Sequence, residues 1–184
     1  MKIHRKLLSF AAAFTVALSL IISGASQTGN VGNSEGKDEV KRTYTIESNE
    51  LKLPSPVVFV AGSTELKPES DKALEYVKNF LNDKPYITLL RIEGHCDEGD
   101  AMSQALSEKR ALVIVRKLIS QGIACERLLA VGFGATKPVV APEAPDANAK
   151  NTRLAFVMAT MRNRAIGGLP ADGGGKVAGD SCQK

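Results

Sequence analysis

Residues 86–122 read YITLLRIEGHCDEGDAMSQALSEKRALVIVRKLISQG, and a change of period inside them decides the fold. From Tyr86 to Gly94 the run is compact, apolar and β-branched, which predicts a strand. From Ser107 onward, Ala111, Leu112, Val115, Leu118 and Ile119 recur at helical spacing and build one apolar face. Ser107 is the expected N-cap, and Gly122 falls where a helix end accepts positive φ. Between strand and helix lies a polar loop, HCDEGDAMSQAL. RLLAVGFG, residues 127–134, reads as the next strand.

The flanks extend this pattern. TYTIESNELKLPSPVVF (43–59) alternates at Tyr44/Ile46 and Leu51/Leu53 and reads as a strand, with Pro54 and Pro56 suited to an edge or bend. KPESDKALEYVKNFLNDK (67–84) places Ala73, Leu74, Val77, Phe80 and Leu81 on one helical face, with Pro68 and Glu69 at its start. ATKPVVAPEAPDANAKN (135–151) reads as a long loop ending in a helical turn, and TRLAFVMATM (152–161) as the last strand. Residues 163–184 are Gly-rich and aperiodic, which predicts a tail. The order β-α-β-α-β-β predicts an α/β (α+β) two-layer sandwich, with helices laid on one mixed sheet across 43–162.

The 184 residues leave room for one ordinary domain plus tails. MKIHRK is a basic start, Leu7–Ile22 an apolar run, and SGASQ a set of small residues. That run falls short of the roughly 20 residues of a membrane span, so residues 1–25 read as a secretory signal peptide, with an uncleaved anchor as the alternative. No Cys follows the run, so no lipoprotein acylation site is expected. Residues 26–42 read as a flexible linker. The whole chain carries 24 basic and 20 acidic residues; removing Lys2, Arg5 and Lys6 leaves 21 against 20. A nearly neutral mature chain gives no reason to expect nucleic-acid binding. Too few ten-residue alternating strands are present for a transmembrane barrel.

Chemistry collects where the strand ending at Gly94 meets the following helix. Asp97 lies in that loop, and Arg110 is expected in the first turn of the helix, beside its free N–H groups. A carboxylate and a guanidinium at one sheet end suit a zwitterion, with Asp97 pairing an ammonium and Arg110 forking onto a carboxylate. A surface Asp–Arg salt bridge that binds nothing is the plainer reading. A metal at His95, Cys96 and Asp97 is disfavoured, because zinc ligands come as spaced pairs. Glu93, Asp97, Glu98 and Asp100 lack calcium-loop spacing. Cys96 as nucleophile would need a base, and the adjacent His95 points to the other face of an extended segment. The tail's ADGGG lacks the Ser/Thr and helix of a phosphate loop.

VVFVAGSTELKPES, RIEGHCDEGD, LSEKRA, LISQGI, RLLAVGFGATKP and AKNTRLAF occur in the order of a known family. Over about residues 50–160 the chain resembles the OmpA-like C-terminal domain family, which includes the peptidoglycan-associated lipoprotein and the MotB periplasmic domain. The resemblance implies a non-catalytic domain that binds peptidoglycan through the diaminopimelate of the stem peptide. It places the ligand-binding residues at Asp97, Arg110, Arg153 and Ser103, with no cofactor and no metal. Cys96 stands where the family often has Thr, and His95 at a structural turn position. Departures are a loop two residues shorter between Asp97 and Arg110, Ser103 for Asn, Gly62 for an acid and Thr152 for the first Arg of the last motif.

The expected role is that of a peptidoglycan-binding envelope anchor in the periplasm, associated with the wall and outer membrane. Outer-membrane or periplasmic proteins are further candidate partners. The alternative is a module that has lost the ligand and serves as a periplasmic protein–protein interaction domain. Export implies an oxidising compartment for Cys96, Cys125 and Cys182. A helix of about 14 residues spans about 21 Å, too far for a Cys96–Cys125 bridge. Cys125–Cys182 is the hypothesis for the disulfide, because the flexible tail can reach back to the turn after the helix.

Overall fold

A computed structural model describes residues 42–97 and 100–183. The expected signal peptide, the linker up to residue 41, and Glu98 lie outside the described residues. The chain begins with a hairpin, β1 (Thr45–Glu47) and β2 (Glu50–Lys52). A single strand was the expectation here. Ser48 and Asn49 instead take φ of 48° and 67°, the pair of positive values that closes a two-residue hairpin. The next elements are α1 (Asp71–Asp83), β3 (Ile87–His95), α2 (Asp100–Ser120) and β4 (Leu128–Gly134). A short helix α3 (Ala147–Asn151) leads into β5 (Arg153–Met161). Two short strands close the chain, β6 (Arg164–Ala165) and β7 (Lys176–Val177).

The sheet order is β1-β2-β5-β3-β4-β7, with β6 on β5. β3 and β4 are parallel, as the α2 crossover requires, while β5 runs antiparallel to β3. The mixed two-layer sandwich is thus the observed fold. One sheet face supplies Leu90, Ile92, Ala130, Phe156 and Met158 to a single apolar cluster. α1 meets it with Leu74, Val77, Phe80 and Leu81, and α2 with Ala111, Ile114, Val115 and Leu118. Among the described residues, no helix is long and apolar enough to cross a membrane.

α2 begins at Asp100, not at Ser107. The expected loop was too long because the first turns of α2 bury polar residues: Ser103, Ser107 and Arg110 are at most 5% exposed. Their spacing is helical, but a polar stripe gives no hydrophobic periodicity. Ser107 is no cap. Its hydroxyl donates to the Gln104 carbonyl (2.8 Å) and accepts the Gly134 N–H (3.0 Å), tying mid-helix to the end of β4. Below it the helix rests directly on backbone: a β-carbon at Gly94 would overlap the Ser107 carbonyl.

Residues 163–184, expected as a loose tail, are folded onto the sheet as far as they are described. β7 pairs with β4 through Val131↔Val177 and Gly132↔Lys176, covering an edge that would otherwise be open. Upstream of β7 the segment crosses the face opposite the helices. Arg91 Nη1 donates to the Ala171 carbonyl (2.8 Å), and Lys137 Nζ to that of Gly173 (3.2 Å). A β-carbon at Gly173 would stand 2.6 Å from the Arg91 guanidinium. Glycine therefore permits the close crossing that its frequency had suggested was disorder. Cys182 is joined to Cys125 by a disulfide.

The bridge spans a sequence separation of 57 residues. On the chain-entropy account, closing such a loop stabilises by about 4 kcal/mol. Cys182→Ser is expected to lower the free energy of chemical unfolding by up to about that amount. Faster hydrogen exchange should appear first at Lys176, Val177 and Ala178.

Candidate functional site

The site lies where β3, α2 and β5 converge. A cavity of about 240 Å³ is lined by residues including Phe59, His95, Arg110, Thr152 and Arg153. Arg110 is 5% exposed and sits in the third turn of α2 rather than the first. The dipole end of the helix is thus not beside it, as had been expected. Its Nε donates to the Ser63 carbonyl (2.9 Å), and its Cζ lies over the Phe59 ring at 5.1 Å. Nη1 is 4.0 Å from Cys96 Sγ. These contacts orient the guanidinium through a carbonyl and a π-face.

Arg153 enters from the start of β5. Its Nη1 donates to the Asn151 carbonyl (3.1 Å) and its Nη2 to that of Lys137 (3.2 Å). Burial lowers its pKa, against the opposing charges of Glu50 and Glu93. Among the described residues, neither Arg110 nor Arg153 forms an ion pair with a carboxylate. Two guanidinium groups therefore face one small cavity, an arrangement complementary to an anion.

Asp97 stands beside this cavity but does not line it, and no ion pair joins it to Arg110. The simple surface salt bridge is thus absent among the described residues. The loop is held instead by α3 and the residue after it. Asn151 Nδ2 donates to Asp97 Oδ2 (3.0 Å), Asn148 Nδ2 to the Asp97 carbonyl (2.6 Å), and the Asp97 N–H to Thr152 Oγ1 (3.2 Å). Thr152, a departure from the family motif, thus steadies the shortened loop. Asn151 is 3% exposed, and its Oδ1 also accepts the N–H groups of Val139 and Val140. Sequence reading missed Asn148 and Asn151; their only signal was their place in the AKNTR motif.

Ser103, expected as a ligand contact, is fully buried on α2 and does not line the cavity. A side chain without accessible surface cannot touch a ligand unless the helix moves. Cys96 was expected to be partly buried and is fully buried; its N–H donates to the Gly134 carbonyl (3.0 Å). His95 was expected as a hydrogen-bonding turn residue. It is instead the last residue of β3, stacked on Phe133 with ring centroids 5.2 Å apart. Its Nε2 lies 3.4 Å from Glu93 Oε2, a contact that favours the ionised carboxyl, and Nδ1 has no hydrogen-bond partner among the described residues.

Beneath the site, β3 carries Arg91, Glu93 and His95 on one face, all at most 6% exposed. Arg91 Nε and Nη2 reach the same Glu93 oxygen at 2.7 and 2.6 Å. Burial acts to raise the Glu93 pKa, but His95, Arg91 and Lys137 outweigh it and hold the carboxyl below its usual 4.5.

The sequence model described as the OmpA family matches residues 58–152. Outer membrane protein A of Salmonella typhi is 35% identical over 97 residues, 51% of this chain and 28% of that protein. A protein of Gloeobacter violaceus, photosystem I P700 chlorophyll a apoprotein A2, is 36% identical over 122 residues, 60% of this chain and 13% of that protein. The chain thus spans less than a third of the length of either relative. Among solved structures, the peptidoglycan-associated lipoprotein from Burkholderia pseudomallei aligns with TM-score 0.51 and 27% identity, covering 58% of this chain and 89% of that one.

A carboxyl whose folded pKa is depressed adds stability above its unfolded pKa and loses it as pH falls through the folded value. Acid titration should therefore destabilise the domain below about pH 4.5. Glu93→Gln is expected to flatten that acid limb in unfolding experiments, and to cost roughly 3 kcal/mol at neutral pH by leaving Arg91 without its counter-charge.

Proposed function

We propose, for a chain that belongs to the OmpA family through residues 58–152, that the domain binds peptidoglycan without catalysis and anchors the cell envelope to the wall. The observation that carries this reading is the pair of guanidinium groups, Arg110 and Arg153, facing one cavity with no carboxylate in ion-pair contact with either among the described residues. The solved relative from Burkholderia pseudomallei, described as peptidoglycan-associated, supports the wall as ligand. The reading further specifies the diaminopimelate of the stem peptide. Its carboxylate would take the guanidinium groups, and its ammonium the Asp97 carboxylate beside them. Ser103, buried on α2, is not among the ligand contacts of this reading. An exported protein of the periplasm, associated with wall and outer membrane, is the setting this function requires.

The turning of Asp97 toward Asn151 favours one competing reading, a module that keeps the fold for a protein partner and has lost the wall ligand. Co-sedimentation with purified sacculi separates the two. Wild-type protein should pellet with sacculi, and Arg110→Ala, Arg153→Ala and Asp97→Ala should each weaken binding about 10- to 100-fold, the worth of a charge-assisted hydrogen bond. A folded wild-type domain that stays in the supernatant would favour the protein-partner reading. Pelleting unchanged in all three variants would remove the site assignment.

A further inference from the structure

β5 has two edges, and one of them is left open beside the site. On its β3 side the strand is paired throughout, including His95↔Arg153, Gly94↔Leu154, Glu93↔Ala155 and Ile92↔Phe156. On its other side β6 pairs with Thr160 and Met161, and β2 makes a single bridge, Glu50↔Val157, with the Met158 N–H donating to the Asn49 carbonyl at 2.8 Å. Peptide groups along a strand alternate between its neighbours. Because Met158 points toward β2, Leu154 points the same way, past the place where β2 has ended.

The run that would continue β2 is Leu53-Pro54-Ser55-Pro56-Val57. Its two prolines have no N–H and fixed φ, so it cannot form a regular ladder. Among the described residues, no backbone hydrogen bond joins it to β5. A groove of about 430 Å³ remains between them, with an apolar floor that includes Leu51, Leu53, Leu154 and Phe156. It shares Val57, Thr152, Arg153 and Leu154 with the cationic cavity, so the two adjoin. Arg153 stands at the junction and Glu50 lines the groove.

We infer that this groove receives the extended backbone of the stem peptide whose charged end occupies the cavity, the Leu154 N–H and C=O pairing with it as an added strand. The inference rests on the wall-binding reading above. Its physical basis is strand addition to an exposed edge: main-chain bonds hold the peptide, and an apolar floor accepts small side chains. An extended peptide leaving the cavity past Arg153 meets this unpaired stretch of β5.

The test uses two probes on the whole protein: free meso-diaminopimelate, and the sugar-free stem tetrapeptide containing it. Calorimetry should show the tetrapeptide binding at least about tenfold more tightly than the free amino acid. Ser55→Trp, which fills the groove from a half-buried loop position, should erase that excess and leave diaminopimelate affinity unchanged. Slowed hydrogen exchange at Leu154 with the tetrapeptide, and not with diaminopimelate, supplies a readout in the unaltered protein. Equal affinity for the two probes, or tetrapeptide binding unmoved by Ser55→Trp, would overturn the groove assignment and leave the cavity assignment standing. Failure of both probes to bind the wild type would overturn both.

Discussion

The contact on which the molecule depends is the seat of α2 on the ends of β3 and β4. Helix backbone rests on strand backbone there. A β-carbon at Gly94 would overlap the Ser107 carbonyl, and one at Gly132 would stand 2.8 Å from the Glu108 nitrogen. Ser107 then bonds the Gly134 N–H, so the polar groups in the contact are satisfied rather than merely excluded from water. The seat fixes the height of α2, and with it the point where Arg110 leaves the helix. One turn of drift along the axis would carry the guanidinium about 5 Å from the Ser63 carbonyl and the Phe59 ring.

The opposite sheet face solves a different problem. A two-layer sandwich leaves one face of its sheet without helices, and here β3 places Arg91, Glu93 and His95 on it. Buried charges are costly unless paired and bonded. The pairing comes from Arg91 and Glu93 themselves, and the remaining donors of Arg91 are met by carbonyls of the C-terminal segment. That segment reaches close enough only because glycine lies against the guanidinium. The disulfide to Cys125 and the pairing of β7 with β4 hold it there. Coverage of the ladder and closure of the sheet edge are thus one structural act.

The site combines a rigid and a tethered half. Arg110 and Arg153 are fixed by carbonyls on secondary-structure elements, which position charge without neutralising it. Asp97 belongs to a loop, and its place is set by Asn148, Asn151 and Thr152 across more than fifty residues of sequence. Asp97 is ordered because α3 and Thr152 supply the restraint. The same restraint turns the carboxylate toward Asn151.

Periodic burial was legible in the chain alone. Helices α1 and α2, strands β3, β4 and β5, and the mixed two-layer sandwich follow from apolar residues spaced to reach one core, because hydrophobic burial is written locally in a period. Asp97 and Arg110 could be singled out as candidates, and the reach of Cys182 to Cys125 argued, from spacing. What only the tertiary structure decided were the features carried by polar groups and glycine: the early start of α2, the packed C-terminal segment, the burial of Ser103 and the tethering of Asp97. Hydrogen bonds and close backbone approaches join residues far apart in sequence and leave no period along it. Their partners are defined only once the core has brought the strands and helices together.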